Sequence, residues 1–313
     1  MNSNLNIISF LLHVYVDSNQ FLFVALVSRS WRRVWGQRPA LTRFVTSQSS
    51  ASQLAESFES GLPRDRSVCR QAARVGNLGA LQWALESGCP WNEATCAGAA
   101  AGGHLEVLQW ARDRGCPWDS MTCAEAARGG HLHILQWARA NGCDWSVHTC
   151  SQAAAGGYLE ILQWARAHRC PWDLGTCREA ARGGHLEVLR WARANGCHWG
   201  SDTCRGAAQN GHLNVLKWAR ANDCPWNRWT CNGAAAGGHL HVLQWAHSNG
   251  CPWDSWTCAM AAGEGRLDVL RWARAHGCPW DGWTRALAKK QGHNHVLEWA
   301  IANGCPVDME YTE

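Results

Sequence analysis

Seventeen cysteines and a recurrent tryptophan are the first features of this chain whose residue types could do chemistry. The cysteines fall in two series with a 27-residue period. One runs 89, 116, 143, 170, 197, 224, 251, 278, 305, and the other 69, 96, 123, 150, 177, 204, 231, 258. Zinc is the chemistry to test first. It wants four ligands, usually including close pairs such as C-x-x-C. Here the two cysteines of one period stand seven apart, and one falls inside a helical stretch, where free Cys packs as a small apolar residue. Metal is therefore the minor reading, and disulfides are less favoured still, because seventeen is odd and a reducing compartment is expected. Histidines 104, 131, 185, 212, 239 and 293 recur at one place in the period, but Tyr158 and Arg266 fill the same place. Neither ligation nor titration can be what that position requires, so a structural role is predicted. No nucleophile–base constellation, phosphate loop or carboxylate pair stands outside the repeating pattern. The expectation is no enzyme and no cofactor.

These residues are positioned by a repeat. The shared unit reads C-P-W-D-x-x-T-C-x-x-A-A-x-G-G-H-L-E-V-L-Q-W-A-R-A-N-G, and no insertion breaks its register between 62 and 304. Trp follows the same rhythm from Trp83 to Trp299, and a second Trp series runs from Trp91 to Trp280. Each unit predicts two short helices. Asp119 caps the first, whose small face carries Cys123, Ala126 and Ala127. Asn92, Ser146, Asp173, Asn227, Asp254 and Asp281 take the cap position elsewhere, with Gly200 the weakest member. The second helix places Leu132, Ile134, Leu135, Trp137 and Ala138 on one apolar stripe, so the recurring Trp reads as core. Gly142 ends it in the left-handed conformation. Helices this short need their neighbours. The expected fold is all-α: an ankyrin-like solenoid of stacked helix-turn-helix repeats behind a short helical N-terminal segment.

The ankyrin comparison rests on T-C-x-x-A-A followed by G-H-L-E-V-L-Q-W-A, which resembles the ankyrin pattern T-P-L-H-x-A-A and G-H-L-E-V-V-x-x-L-L. In one unit the matching positions are Thr122, Ala126, Ala127, Gly130, His131, Leu132, Ile134 and Leu135. The unit is six residues shorter than the usual 33, so a tight Cys-Pro-Trp turn is expected where ankyrins carry a β-hairpin finger. Short Trp-rich repeats of this kind are similar to those of giant amoeba-infecting viruses and some protists. The resemblance implies protein binding, and a histidine that bridges backbone groups of adjacent turns.

Five segments are predicted: 1–36, a linker at 37–53, an N-terminal capping helix at 54–61, nine repeats over 62–304, and a tail at 305–313. In the last repeat Arg285 replaces the helix Cys and Lys289 and Lys290 follow, giving the polar outer face a terminal unit requires, and Val307 replaces the next Trp. The first segment resembles an F-box, in which a helix ending in Leu-Asp precedes L-x-x-A-L-V-S-R-x-W-R-R. The positions carried over for docking are Ile8, Leu11, Leu12, Val16, Leu22, Leu26, Val27 and Trp31, together with Asp17, Ala25, Ser28, Arg32 and Arg33. The usual Leu-Pro-x-Glu start is absent. The resemblance implies a Skp-type adaptor as partner; the alternative is an amphipathic cap on the repeats. The apolar run 7–16 has no basic residue before it and is too short to span a bilayer. The chain is thus expected to be cytoplasmic or nuclear (in the host cell if viral), not secreted, with no membrane partner.

Binding specificity is expected where the repeat varies: just before the Thr, just after the helix Cys, and after Ala-Ala. Trp229, Trp256 and Trp283 precede Thr in three successive units and should align as an aromatic stripe; shielding of the core is the other reading. Arg178, Arg182 and Arg205 form a basic cluster on the same face, suited to an acidic partner or else a solvated surface. Arg112, Arg139, Arg166, Arg193 and Arg220 recur beside the helix Trp and read mainly as solubility and stem packing. The leading function is a monomeric, substrate-recruiting adaptor for a cullin-type ubiquitin ligase. A plain protein-binding scaffold is the alternative. Single-stranded nucleic-acid binding is the least favoured, because a net charge of +4 falls well short of strong basicity.

Overall fold

The computed structural model describes residues 45–47, 49–50 and 64–307. The F-box-like positions Ile8, Leu11, Leu12, Val16, Leu22, Leu26, Val27 and Trp31, and the capping helix at 54–61, lie outside the described residues. The chain divides into two compact units, Met1–Trp145 and Ser146–Glu313. Among the described residues every element is an α-helix and there is no strand. Among the described residues no helix is long and apolar enough to cross a membrane.

The first unit holds α1 (Arg66–Arg74), α2 (Leu78–Glu86), α3 (Glu93–Gly102), α4 (Leu105–Asp113), α5 (Ser120–Arg128) and α6 (Leu132–Ala140). The second holds α7 (Val147–Gly156), α8 (Leu159–Ala167), α9 (Leu174–Arg182), α10 (Leu186–Ala194), α11 (Ser201–Gln209) and α12 (Leu213–Ala221). It continues with α13 (Arg228–Gly237), α14 (Leu240–Ser248), α15 (Ser255–Gly263), α16 (Leu267–Ala275), α17 (Gly282–Lys290) and α18 (Asn294–Ala302). Each helix pair is one repeat, three in the first unit and six in the second. Within each unit the odd-numbered helices pack successively against one another, and each even-numbered helix lies against the helix before it.

Local chemistry explains the boundaries. The Asp119 carboxylate accepts from the Met121 amide at 3.0 Å, satisfying an orphan donor of the first turn of α5. Asn92, Ser146, Asp173, Asn227, Asp254 and Asp281 do the same for their helices, and Gly200 makes no such bond. Between repeats the chain needs only the short Cys-Pro-Trp link, as with residues 114–119 between α4 and α5. The core is narrow. Ala126, Ala127 and Cys123 of α5 are fully buried beside Ile134, Leu135 and Ala138 of α6. Trp137 is only half-buried, as are the other second-helix Trp residues, so the expectation that they belong to the core is corrected. An indole is too wide for an interface built of Ala and Cys, and it takes the margin instead.

The two left-handed glycines of each repeat have different physics. At the turn inside the repeat, Gly184 has φ +78, and an added Cβ would meet the His212 imidazole of the next repeat at 2.7 Å. Gly76, Gly157, Gly211 and Gly265 are likewise covered by a following His, and Gly238 by Arg266. At the turn between repeats, Gly142, Gly196 and Gly250 are also left-handed, but an added Cβ would meet nothing within 4 Å. That open position is where the repeat tolerates Arg169 (φ 65) and Asp223 (φ 62). A non-Gly residue there strains the backbone without a clash.

Val45, Thr46 and Ser49, inside the stretch expected to be a linker, are tied to the first repeat. Val45 is buried, and the Asn77 amide donates to the Thr46 carbonyl at 3.0 Å and the Ser49 carbonyl at 2.8 Å.

Gly184→Ala should cost about 2–3 kcal/mol, combining left-handed strain with displacement of His212. Gly196→Ala should cost about 1 kcal/mol, and Arg169→Gly should stabilise by about 1 kcal/mol, raising Tm by roughly 2–4 °C. Thermal and urea unfolding of the three variants measure the set; equal costs for the two alanines would contradict it.

Candidate partner-binding face

The thiols come first, because their spacing suggested chemistry. All seventeen are buried, and none is in a disulfide. The structure joins them in pairs twenty residues apart: a helix Cys with the turn Cys of the following repeat. The Cys96 thiol reaches the Cys116 carbonyl at 4.0 Å, and the Cys116 thiol donates to the Asn92 carbonyl at 3.5 Å. Cys143, Cys197 and Cys278 likewise donate to the cap carbonyls Asp119, Asp173 and Asp254, at 3.2–3.4 Å. The odd cysteine has a simple origin. Cys305 ends the series, and the place of its helix partner is taken by Arg285. Within a pair, the shared thiol–thiol hydrogen bond and then burial push Cys96, Cys177 and Cys204 far above the usual thiol range. The same bond lowers their partners Cys116, Cys197 and Cys224. Burial, first among its causes, raises Cys69 to about 12. Among the described residues no group of three or more His, Cys, Asp or Glu is placed to hold a metal.

The histidines serve the stack. His131 Nε2 lies 3.3 Å from the Ala101 carbonyl, His185 Nε2 3.0 Å from Ala155, and His212 Nε2 3.1 Å from Arg182, each carbonyl belonging to the preceding repeat. A carbonyl only accepts, so the ring nitrogen carries the proton. Arg266 reproduces the contact, its Nε donating to the Ala236 carbonyl at 3.5 Å.

The second-helix arginines do more than solubilise and pack their stems. The Arg193 guanidinium donates to the Cys197 carbonyl and lies over the Trp199 ring at 4.2 Å. Trp199 in turn meets Trp218 edge-on at 5.7 Å. Arg112, Arg139, Arg166, Arg220 and Arg274 make the same two contacts, at 4.1–4.4 Å from the next Trp. His247 replaces the guanidinium by stacking on Trp253 at 3.8 Å. Each Arg–Trp contact is worth about 0.5–1 kcal/mol at a partly exposed site. This edge of the molecule is therefore spent on structure.

The opposite, first-helix face carries the predicted site. Trp229, Trp256 and Trp283 are the exposed tryptophans among the described residues, at 40%, 36% and 40%. The structure does not treat them alike. Trp256 and Trp283 stack at 5.8 Å with 24° between their planes. Trp229 instead lies between the Arg205 and Arg228 guanidiniums, 5.6 and 5.7 Å from its ring. Arg228 also pairs with Asp254 at 3.4 Å. Arg205 thus belongs with Trp229, whereas Arg178 and Arg182 share the carboxylate of Glu179, at 3.0 and 3.9 Å. Their charge is partly answered on their own helix.

Asn232 was missed. It occupies the variable place after the helix Cys, yet it is buried, accepting from the Thr257 hydroxyl at 2.6 Å and donating to Asp254 at 3.5 Å. It links α13 to α15 beside the aromatic residues. The only sequence signal was a lone Asn where neighbouring repeats carry Arg205 and Ala259.

The chain is an all-helical repeat protein of stacked helix pairs. No family model matches it, and no curated protein shows significant similarity.

Desolvation, first among the causes, holds His131 and His239 below the usual imidazole range. A ring harder to protonate in the folded state contributes its full stability above the unfolded value of about 6.5. That contribution is lost as pH falls through 6.5 toward the lower folded value. The urea midpoint should therefore drop more between pH 7.5 and 5 in the native chain than in the His131→Gln/His239→Gln variant. Parallel pH profiles would contradict this.

Proposed function

We propose that this chain is a non-catalytic, ankyrin-type protein-binding scaffold whose first-helix face in the second unit takes a protein target. One observation carries the reading. Three large aromatic side chains stand exposed in successive repeats at one position of the first helix, while all other described tryptophans are half-buried. Exposed Trp with adjacent Arg is the composition of binding hot spots. The Trp256–Trp283 stack and the Arg205–Trp229–Arg228 arrangement also limit the rotamer entropy that binding would otherwise cost.

The finer reading is an adaptor that recruits a substrate to a cullin-type ubiquitin ligase. Its support is the F-box-like pattern, with Ile8, Leu11, Leu12, Val16, Leu22, Leu26, Val27 and Trp31 gripping a Skp-type adaptor. The second reading, a scaffold whose N-terminus only caps the stack, has its own observation in the docking of Val45, Thr46 and Ser49 on the first repeat.

Trp229→Ala/Trp256→Ala/Trp283→Ala should weaken target capture from the native cell by at least about 30-fold, equivalent to about 2 kcal/mol, with Tm little changed. Unaltered capture would sink the face as the binding site. The full chain should retain a Skp-type adaptor, and Leu11→Ala/Leu12→Ala/Trp31→Ala should release it. If the native chain retains no adaptor while folded and target-competent, the ligase reading fails and the scaffold reading stands.

A further inference from the structure

The first unit carries a groove on its own first-helix face, with no exposed tryptophan. It has a volume of about 300 Å3 and runs across α1, α3 and α5. Its depth comes from α3, which lines it only with small residues such as Ala97, Gly98 and Ala101. α3 also sits unusually close to α1: an added Cβ at Gly98 would lie 2.6 Å from the Arg70 carbonyl. The repeats on either side raise the walls. At the place of Ala101 they carry Arg74 and Arg128, and at the place of Ala97 the first repeat carries Arg70.

The walls differ in charge. Arg70 and Arg74, one turn apart on α1, are exposed and make no ion pair with any described residue. Across the floor stand the carboxylates of Glu93 and Asp119, with Glu125 held loosely to Arg128 at 3.9 Å. Glu93 makes no ion pair with any described residue, whereas Asp119 caps α5 and Glu125 answers Arg128. The groove is positive along α1, and Glu93 at the start of α3 and Asp119 at the cap of α5 make its other end negative.

We infer that this groove binds an extended peptide segment of a partner protein, with an acidic side chain on Arg70 and Arg74 and a basic side chain two residues later on Glu93. The spacing suits it. In an extended chain, side chains at i and i+2 share one face about 7 Å apart, close to the roughly 8–10 Å between packed helices, which is the step from α1 to Glu93 on α3; Asp119, at the start of α5, lies a second helix spacing away. A floor of Ala and Gly lets the peptide backbone approach closely. A polyanion such as single-stranded nucleic acid would meet the α5 carboxylates, which argues against it. The inference takes from the proposed function only that the ligand is polypeptide; it does not involve the aromatic residues of the second unit.

The test uses the full chain and fluorescein-labelled, end-blocked twelve-residue peptides of Gly and Ser with one central Glu-Ser-Lys. Controls carry Gln-Ser-Gln, Glu-Ser-Glu or Lys-Ser-Lys. Anisotropy should show the Glu-Ser-Lys peptide bound at least about tenfold more tightly than the Gln control, as expected of two charge-assisted contacts. Arg70→Glu/Arg74→Glu should abolish that preference and favour Lys-Ser-Lys. Ala101→Arg, which copies the residue of the adjacent repeats and so suits the fold, should fill the groove and remove binding. Trp229→Ala/Trp256→Ala/Trp283→Ala should leave peptide binding unchanged, so loss of the second-unit target and loss of this site are read separately. No peptide binding up to about 1 mM, equal affinity for the Gln control, or displacement of the peptide by a single-stranded oligonucleotide through Arg70 and Arg74 would each overturn the inference.

Discussion

A nine-residue helix cannot hold its own hydrogen bonds in water, since nucleation costs more than so few bonds return. Every element here is therefore stable only through the repeat beside it, and the contact between successive first helices is the interaction on which the rest depends. That contact is made by Ala, Cys and Gly, which let backbones approach closely. The 2.6 Å to the Arg70 carbonyl from a Cβ added at Gly98 measures how little room is left. Close approach then dictates the remaining grammar. The His of one repeat can sit on the Gly of the repeat before it and reach its carbonyl, and the turn thiol can reach the cap carbonyl of the preceding helix.

The same constraint divides the molecule's edges by task. Indoles do not fit between backbones packed this tightly, so they move to the second-helix margin. There they are covered by arginines that also satisfy the Cys carbonyls. The carbonyls left over at helix C-termini favour cations, which is why the Arg is both cap and aromatic cover. With that edge committed, the proposed recognition falls to the first-helix face. Its variable positions produce two unlike surfaces: an aromatic one on α13, α15 and α17, and a small-floored, charge-polarised one on α1, α3 and α5.

The cysteines show how a chemical pattern can be structural. Their spacing is regular enough to suggest a metal, but the period places two thiols together, not four, and directs each toward a backbone carbonyl. A thiol is a weak donor small enough for an Ala-sized gap. A hydroxyl of similar size would be a stronger donor but would carry a larger desolvation cost at every repeat. The pairing also accounts for an odd total without any special role for the last residue.

The sequence by itself determined the period, the helix pairs, the caps and the open turn glycines, because these depend on residues within one repeat. Asp119, Gly142 and the 27-residue register were all legible in that way. Contacts between repeats were not legible, because a residue's partner lies twenty to thirty positions away and a single repeat gives no sign of it. Only the tertiary structure paired Cys96 with Cys116, seated His212 on Gly184, and moved Trp137 from the core to its margin. It alone buried Asn232 at a place expected to face solvent, and it separated Trp229 from the Trp256–Trp283 stack. The physical reason is the same in each case: local propensity is set by neighbours in the chain, whereas burial and charge pairing are set by the repeat that happens to lie alongside.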